Sequence, residues 1–193
     1  GRFETFVLKQ VEIACRRKRF SEVHYAEIEA VQPEDLLPVT RECLDAFLAS
    51  SRFGWVRDKA LAHADKWLIE PPGYGEARID GMKVYCKVDF LFIVDGRAVI
   101  LDWKTGKRDE RKHGKQLLGY SAWAVNQLNQ PADTIEAVVA YLRPSYEEVL
   151  LCPSGAELAA FAGQIRSETE EMYAYCGDVQ ENVPQKKDTF PMT

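Results

Sequence analysis

The chain has little of what most catalytic classes need. Its 193 residues include only three histidines, His24, His63 and His113, scattered along the sequence. No H-E-x-x-H run places two of them on one helix face, which excludes the common zinc-hydrolase arrangement. Neither G-x-S-x-G nor G-x-x-x-x-G-K-[ST] occurs, so there is no nucleophile elbow and no P-loop. The five cysteines, Cys15, Cys43, Cys86, Cys152 and Cys176, contain no C-x-x-C pair and so no zinc or dithiol motif. Their odd number, with no secretory pattern at the start, reads as reduced thiols in a cytoplasmic protein. No run of about 18 apolar residues is present, so no membrane span is expected. Internal repeats and low-complexity tracts are missing as well. So is a basic excess: the formal charge of −5 excludes a general nucleic-acid coat. It does not exclude an enzyme that gathers acids in one site and holds phosphate with local basic patches.

What is there is an ordinary globular composition, 46% hydrophobic and 28% charged, enough for one good core. We expect a single domain over 1–193. Its parts are a helical region over 1–70, a sheet core with flanking helices over 75–176, and a polar, loosely held tail over 177–193. Gly1 in place of Met suggests that residues precede it in the natural chain. Helical spacing of apolar residues predicts one long or two broken helices between Glu4 and Ala30. A second helix is expected after Pro38 with Thr40 as its N-cap, then a helical or mixed segment over Asp58–Ile69. Pro71-Pro72-Gly73 breaks the chain after it. The most basic stretch is Arg16-Arg17-Lys18-Arg19, which reads as a solvated helix face or as a phosphate contact.

The stretch that organises the rest is Val84 to Gly106. It reads as two strands joined by Asp95-Gly96, whose residues tolerate the positive φ of a type I′ turn. With a two-residue loop, Val94 faces Arg97. Stepping outward puts Asp89 opposite Asp102 and Lys87 opposite Lys104. Alternation points Asp102 and Lys104 to one face and Trp103 to the other. Opposed carboxylates have Cβ atoms about 4.5–5.5 Å apart and repel each other. In strands that are otherwise apolar on both faces, such a pair calls for a cation. Lys104 supplies one charge, and a hard divalent ion, for which carboxylate oxygens are the natural ligands, could supply the rest. The competing reading is a solvated hairpin end with surface acids. A second Asp-Gly turn, Asp80-Gly81, pairs Glu76 with Tyr85. That leaves Glu76 about 13 Å along from Asp89, too far for a shared ion.

A charged loop at Arg108–Lys112 feeds a helix over about Lys112–Leu128, on which Gln116 and Tyr120 share a face at i and i+4. Strands are expected over Ile135–Leu142 and Val149–Cys152, then an amphipathic helix capped by Ser154. The order predicts a mixed α/β fold: a central mixed sheet flanked by helices, with a helical N-terminal part.

Val88-Asp89, a hairpin and Asp102-Trp103-Lys104 resemble the D…D-x-K pattern of the PD-(D/E)xK nuclease superfamily. The run LDWKTGK followed by Gln116-Leu117-Leu118-Gly119-Tyr120 is similar to its RecB-like exonuclease branch, which carries D-x-K-T-G and then Q-x-x-x-Y. The resemblance is clearest over Glu76–Leu142. It implies a restriction-endonuclease-like core and a DNA-cleaving enzyme, acting on single or double strands, alone or with other nuclease and helicase subunits. It also implies Mg2+ or Mn2+ on Asp89, Asp102 and the Trp103 carbonyl, with Lys104 catalytic and Gln116 and Tyr120 orienting the site. A further His or acidic ligand is expected upstream; His24, Glu42 and Asp45 are candidates. Cys15-Arg16-Arg17-Lys18-Arg19-Phe20 resembles that branch's N-terminal box without its proline. A [4Fe–4S] cluster would need cysteines beyond Thr193, in a longer natural chain. Two other classes compete: a degenerate nuclease fold that binds nucleic acid or protein without cutting, and an interaction domain with incidental acids.

Overall fold

The computed structural model describes residues 2–16, 20–25, 27–70 and 76–190. The basic run beyond Arg16 and the Pro71-Pro72-Gly73 break lie outside the described residues. The chain divides into two compact units. One comprises Gly1–Ala62, Lys104–Lys107 and Tyr141–Glu147; the other comprises His63–Trp103, Arg108–Ala140 and Glu148–Thr193.

The first unit is helical: α1 (Arg2–Arg16), α2 (Ser21–His24), α3 (Pro33–Leu48) and α4 (Ser51–Trp55). The N-terminal apolar periodicity therefore belongs to two helices. α3 begins seven residues before the Thr40 cap expected from sequence. Pro33 at the first helical position carries the preset φ of a helix start, and the Asp35 carboxylate accepts the Gln32 N–H at 3.2 Å. Pro38, which suggested an entry, sits inside the helix. Thr40 is interior too, its hydroxyl donating to the Leu36 carbonyl at 2.8 Å. α1 packs on α3, with Val11 and Cys43 buried. Beyond α4 the expected helical segment is irregular: a π turn at Val56–Ala60, then a 3-10 stretch at Leu61–Lys66.

The strands are β1 (Leu68–Ile69), β2 (Glu76–Ile79), β3 (Met82–Tyr85), β4 (Phe90–Val94), β5 (Arg97–Lys104), β6 (Ile135–Tyr141) and β7 (Glu147–Leu151). A five-stranded sheet runs in the order β1-β4-β5-β6-β7. β4 and β5 are antiparallel from Val94↔Arg97 to Phe90↔Leu101, the register read from the two-residue loop. Asp95 and Gly96 take φ of 50° and 75°, and Asp80 and Gly81 take 51° and 80°; these are left-handed values that Asp and Gly accept. β5 is buried continuously from Ala98 to Asp102, and β6 almost throughout, as central strands covered on both sides should be. Helix α5 (Glu110–Leu128) links β5 to β6, and α6 (Gly155–Tyr173) follows β7. Asp109 caps α5 through the Lys112 N–H, and Ser154 caps α6 through the Glu157 N–H.

Two further elements depart from the sequence reading. The expected single strand through Val84–Val94 is broken, because Cys86–Asp89 pairs with no strand. β2 and β3 form a separate hairpin, in the expected Glu76↔Tyr85 register. That hairpin packs on α5, where Ile79 clusters with Ala122 and Leu158. The break is invisible in the pattern because Cys86 and Val88 are both buried in extended chain. Alternation reports burial, not which strand accepts the hydrogen bonds. Secondly, the polar tail forms a small hairpin, β8 (Cys176–Asp178) with β9 (Val183–Pro184).

Candidate active site

β5 carries its only acid, Asp102, as a buried residue with 1% of its surface exposed. Hydrophobic neighbours on β5 force it there: Ile100 and Leu101 are fully buried beside it. Asp89 sits one residue before β4, so the ladder ends at Phe90↔Leu101 and the direct Asp89–Asp102 pairing expected from sequence is not formed. Asp89 Oδ2 accepts the main-chain N–H of Trp103 at 3.2 Å, which ties its carboxylate to the strand that carries Asp102. Lys87 also lies outside the ladder, and its ammonium pairs with Glu70 at 2.6 Å. The Trp103 ring is tilted against Phe90, which meets Trp67 edge-on. Lys104 ends β5, two residues beyond Asp102 and on the same face by alternation.

α5 supplies the third part. Gln116 Nε2 donates to Tyr120 OH at 2.5 Å, and Tyr120 OH points on to Asp102 Oδ1 at 3.4 Å. The i and i+4 spacing makes the first contact, and the burial of Tyr120 directs the second. Burial raises the Tyr120 phenol well above the ordinary tyrosine value, and the negative charges of Asp102 and Asp89 push the same way. The phenol is therefore a protonated donor at any physiological pH.

One contact was missed in the sequence. Gly119, next to Tyr120, lets α5 approach Cys86: the thiol lies 3.5 Å from the Gly119 carbonyl oxygen. A Cβ on Gly119 would meet Cys86 Sγ at 3.7 Å and Phe161 at 3.8 Å. Burial pushes the Cys86 thiol up to about 11, so it behaves as a small apolar residue and not as a nucleophile. The upstream candidates have other engagements. His24 packs edge-on to Tyr25, the Glu42 carboxylate pairs with Arg143 at 2.9 Å, and Asp45 lines a groove between α1 and α3.

A family model of the PD-(D/E)XK nuclease superfamily matches residues 7–188. The chain belongs to this superfamily. No curated protein matches it. As a PD-(D/E)XK protein it has the restriction-endonuclease-like mixed α/β core, and the match spans residues of both units. Superfamily nucleases generally use divalent metals such as Mg2+. Among the described residues no group of three or more His, Cys, Asp or Glu side chains gathers for a metal. The donors that the D…D-x-K pattern would offer are the two carboxylates and the Trp103 carbonyl. An all-oxygen set with one or two carboxylates suits Mg2+, which keeps several of its waters, so the residues present fit the ion.

Proposed function

We propose that the chain is a divalent-metal-dependent deoxyribonuclease of the RecB-like branch, with exonuclease-like action. The observation that carries this reading is the Asp89–Asp102 pair joined to Gln116 and Tyr120, directly after a D-W-K-T-G-K run. Asp89, Asp102 and the Trp103 carbonyl would hold Mg2+ or Mn2+. When bound, such an ion lowers the pKa of water and stabilises charge on the phosphoryl and leaving oxygens. Lys104 positions the attacking water and meets the negative charge that grows on the phosphate. Tyr120 keeps Asp102 oriented by its donated hydrogen bond, and Gln116 fixes the direction of that hydroxyl. The buried wall of Ile100 and Leu101 keeps water away from the inner side of Asp102 and so strengthens its charge.

DNA is the substrate, and work alongside other nuclease or helicase subunits suits a domain of this size. The test is digestion of end-labelled single- and double-stranded DNA in Mg2+, Mn2+ or EDTA. Mononucleotides released progressively from one end in metal only are expected. No cleavage of either DNA in any metal would refute the reading. A second reading, a nuclease fold that binds without cutting, draws on the lack of a three-ligand cluster among the described residues. It gains if DNA is bound but never cut.

A further inference from the structure

The N-terminal half of α5 carries a charge pattern that its own stability opposes. Arg111, Lys112 and Lys115 are exposed on α5, Lys115 standing four and three residues beyond the other two, and Arg108 is exposed just ahead of the Asp109 cap, so the cations form one stripe. Cations at the start of a helix face the positive end of its dipole, costing about 0.3–1 kcal/mol each when exposed, and like charges at this spacing repel. Compensation is partial. Arg108 pairs with Glu110 at 2.6 Å, and Lys115 lies 3.7 Å from Glu168. Among the described residues neither the Arg111 nor the Lys112 side chain has an ion pair. The Asp109 carboxylate already takes the Lys112 N–H of the first turn, so the side chains are the unusual feature. Gly114 adds to it: its Cα faces open space, and glycine inside a helix costs about 0.5–1 kcal/mol against alanine. Packing does not require it, and it leaves the main chain open next to Arg111 and Lys115. In the C-terminal half of the helix the same face turns apolar and buried at Gly119 and Ala122.

We propose that this stripe is a docking surface for the DNA backbone, holding the strand next to the scissile phosphate. Its position gives the register. Lys112 is eight residues before Tyr120, or about 12 Å along the axis at 1.5 Å per residue. That corresponds to roughly three to four nucleotides of a duplex strand at 3.4 Å each. In a chain of formal charge −5 a polyanion is steered only by a local patch, and Arg111 and Lys112, flanked by the partly compensated Arg108 and Lys115, supply it. The proposal rests on the reading of the chain as an enzyme acting on DNA, and it adds which surface carries the strand.

The test is fluorescence anisotropy with a labelled 30-nucleotide DNA, single-stranded and duplex, in EDTA so that nothing is cut. Arg111→Glu with Lys112→Glu should weaken binding about tenfold near 0.1 M salt and lower the slope of log K against log salt by about 2. The melting temperature should stay equal or rise, because acids suit a helix start. The control, Lys186→Glu with Lys187→Glu, makes the same change in net charge at another exposed site and should leave affinity unchanged. Unchanged affinity and slope in the α5 variant would overturn the proposal. So would an equal loss in the control, or no binding of the wild type to either DNA. If the wild type cuts DNA while the α5 variant binds normally, the surface is wrong and the function stands. If it never cuts but binds through the stripe, the function is wrong and the surface stands.

Discussion

Tyr120 is the side chain that joins the Gln116 amide to the Asp102 carboxylate. It receives a hydrogen bond from Gln116 and directs its own toward Asp102. A group that orients a metal-binding carboxylate typically contributes 10–100-fold to activity or metal affinity. Tyr120→Phe and Gln116→Ala should therefore cut kcat by about 10–100-fold, measured on end-labelled DNA; full activity in both would show that the relay has no role. Asp89→Asn and Lys104→Ala should lose cleavage altogether, and wild-type rates in either would remove that residue from the chemistry. Alkali gives a separate readout. The Tyr120 phenol is raised in the folded protein, so the folded state holds its proton more tightly than the unfolded state does. That stability is complete below the ordinary tyrosine value near ~10 and falls as pH rises above it. Urea unfolding across this range should show a steeper loss in wild type than in Tyr120→Phe; parallel curves would contradict the assigned shift.

At the scale of elements, α5 does the most. It caps at Asp109, exposes cations in its first half, presents Gln116 and Tyr120 to Asp102, and packs Gly119 on Cys86. Gly114→Ala should stabilise the protein by about 0.5–1 kcal/mol, because open space surrounds the added methyl. Gly119→Leu should cost about 1–3 kcal/mol by overpacking against Cys86 and Phe161, and should reduce cleavage by pushing Tyr120 off Asp102. A melting temperature unchanged in Gly119→Leu would show that the close approach is not needed. The body of this element was legible in advance, since i,i+4 pairs are local; its start was not, because the charged run expected to be a loop through Lys112 is helical from Glu110 with Asp109 as the cap. The β4–β5 hairpin was legible for the same reason: Asp95-Gly96 fixes its register. The detachment of the β2–β3 hairpin was not legible, because partner choice is a long-range decision that alternation does not encode. Nor was the turn of Asp89 onto the Trp103 N–H, which depends on where the ladder stops.

For the whole molecule, the family match over residues 7–188 and the mixed sheet agree with the fold expected from a few motif residues. The Cys86–Gly119 contact escaped notice because it joins residues 33 apart and Gly119 fills an unspecified position of the Q-x-x-x-Y run. Under the proposed function, metal binding is the global consequence of the acid pair. An ion that binds the folded carboxylates and not the unfolded chain raises the melting temperature, by RT ln(1 + [L]/Kd) in free energy. Millimolar Mg2+, Mn2+ and Ca2+ should each raise it, and no shift with any of them would favour the non-cutting reading. The most direct measurement is the single-turnover cleavage rate of Asp102→Asn beside wild type in Mg2+. The variant keeps shape and burial, and it removes one charge from a repelling pair. We predict an unchanged or slightly higher melting temperature and a rate lower by about 10³-fold or more, equivalent to roughly 4 kcal/mol of transition-state stabilisation. A folded Asp102→Asn protein that cuts DNA at the wild-type rate would contradict the account.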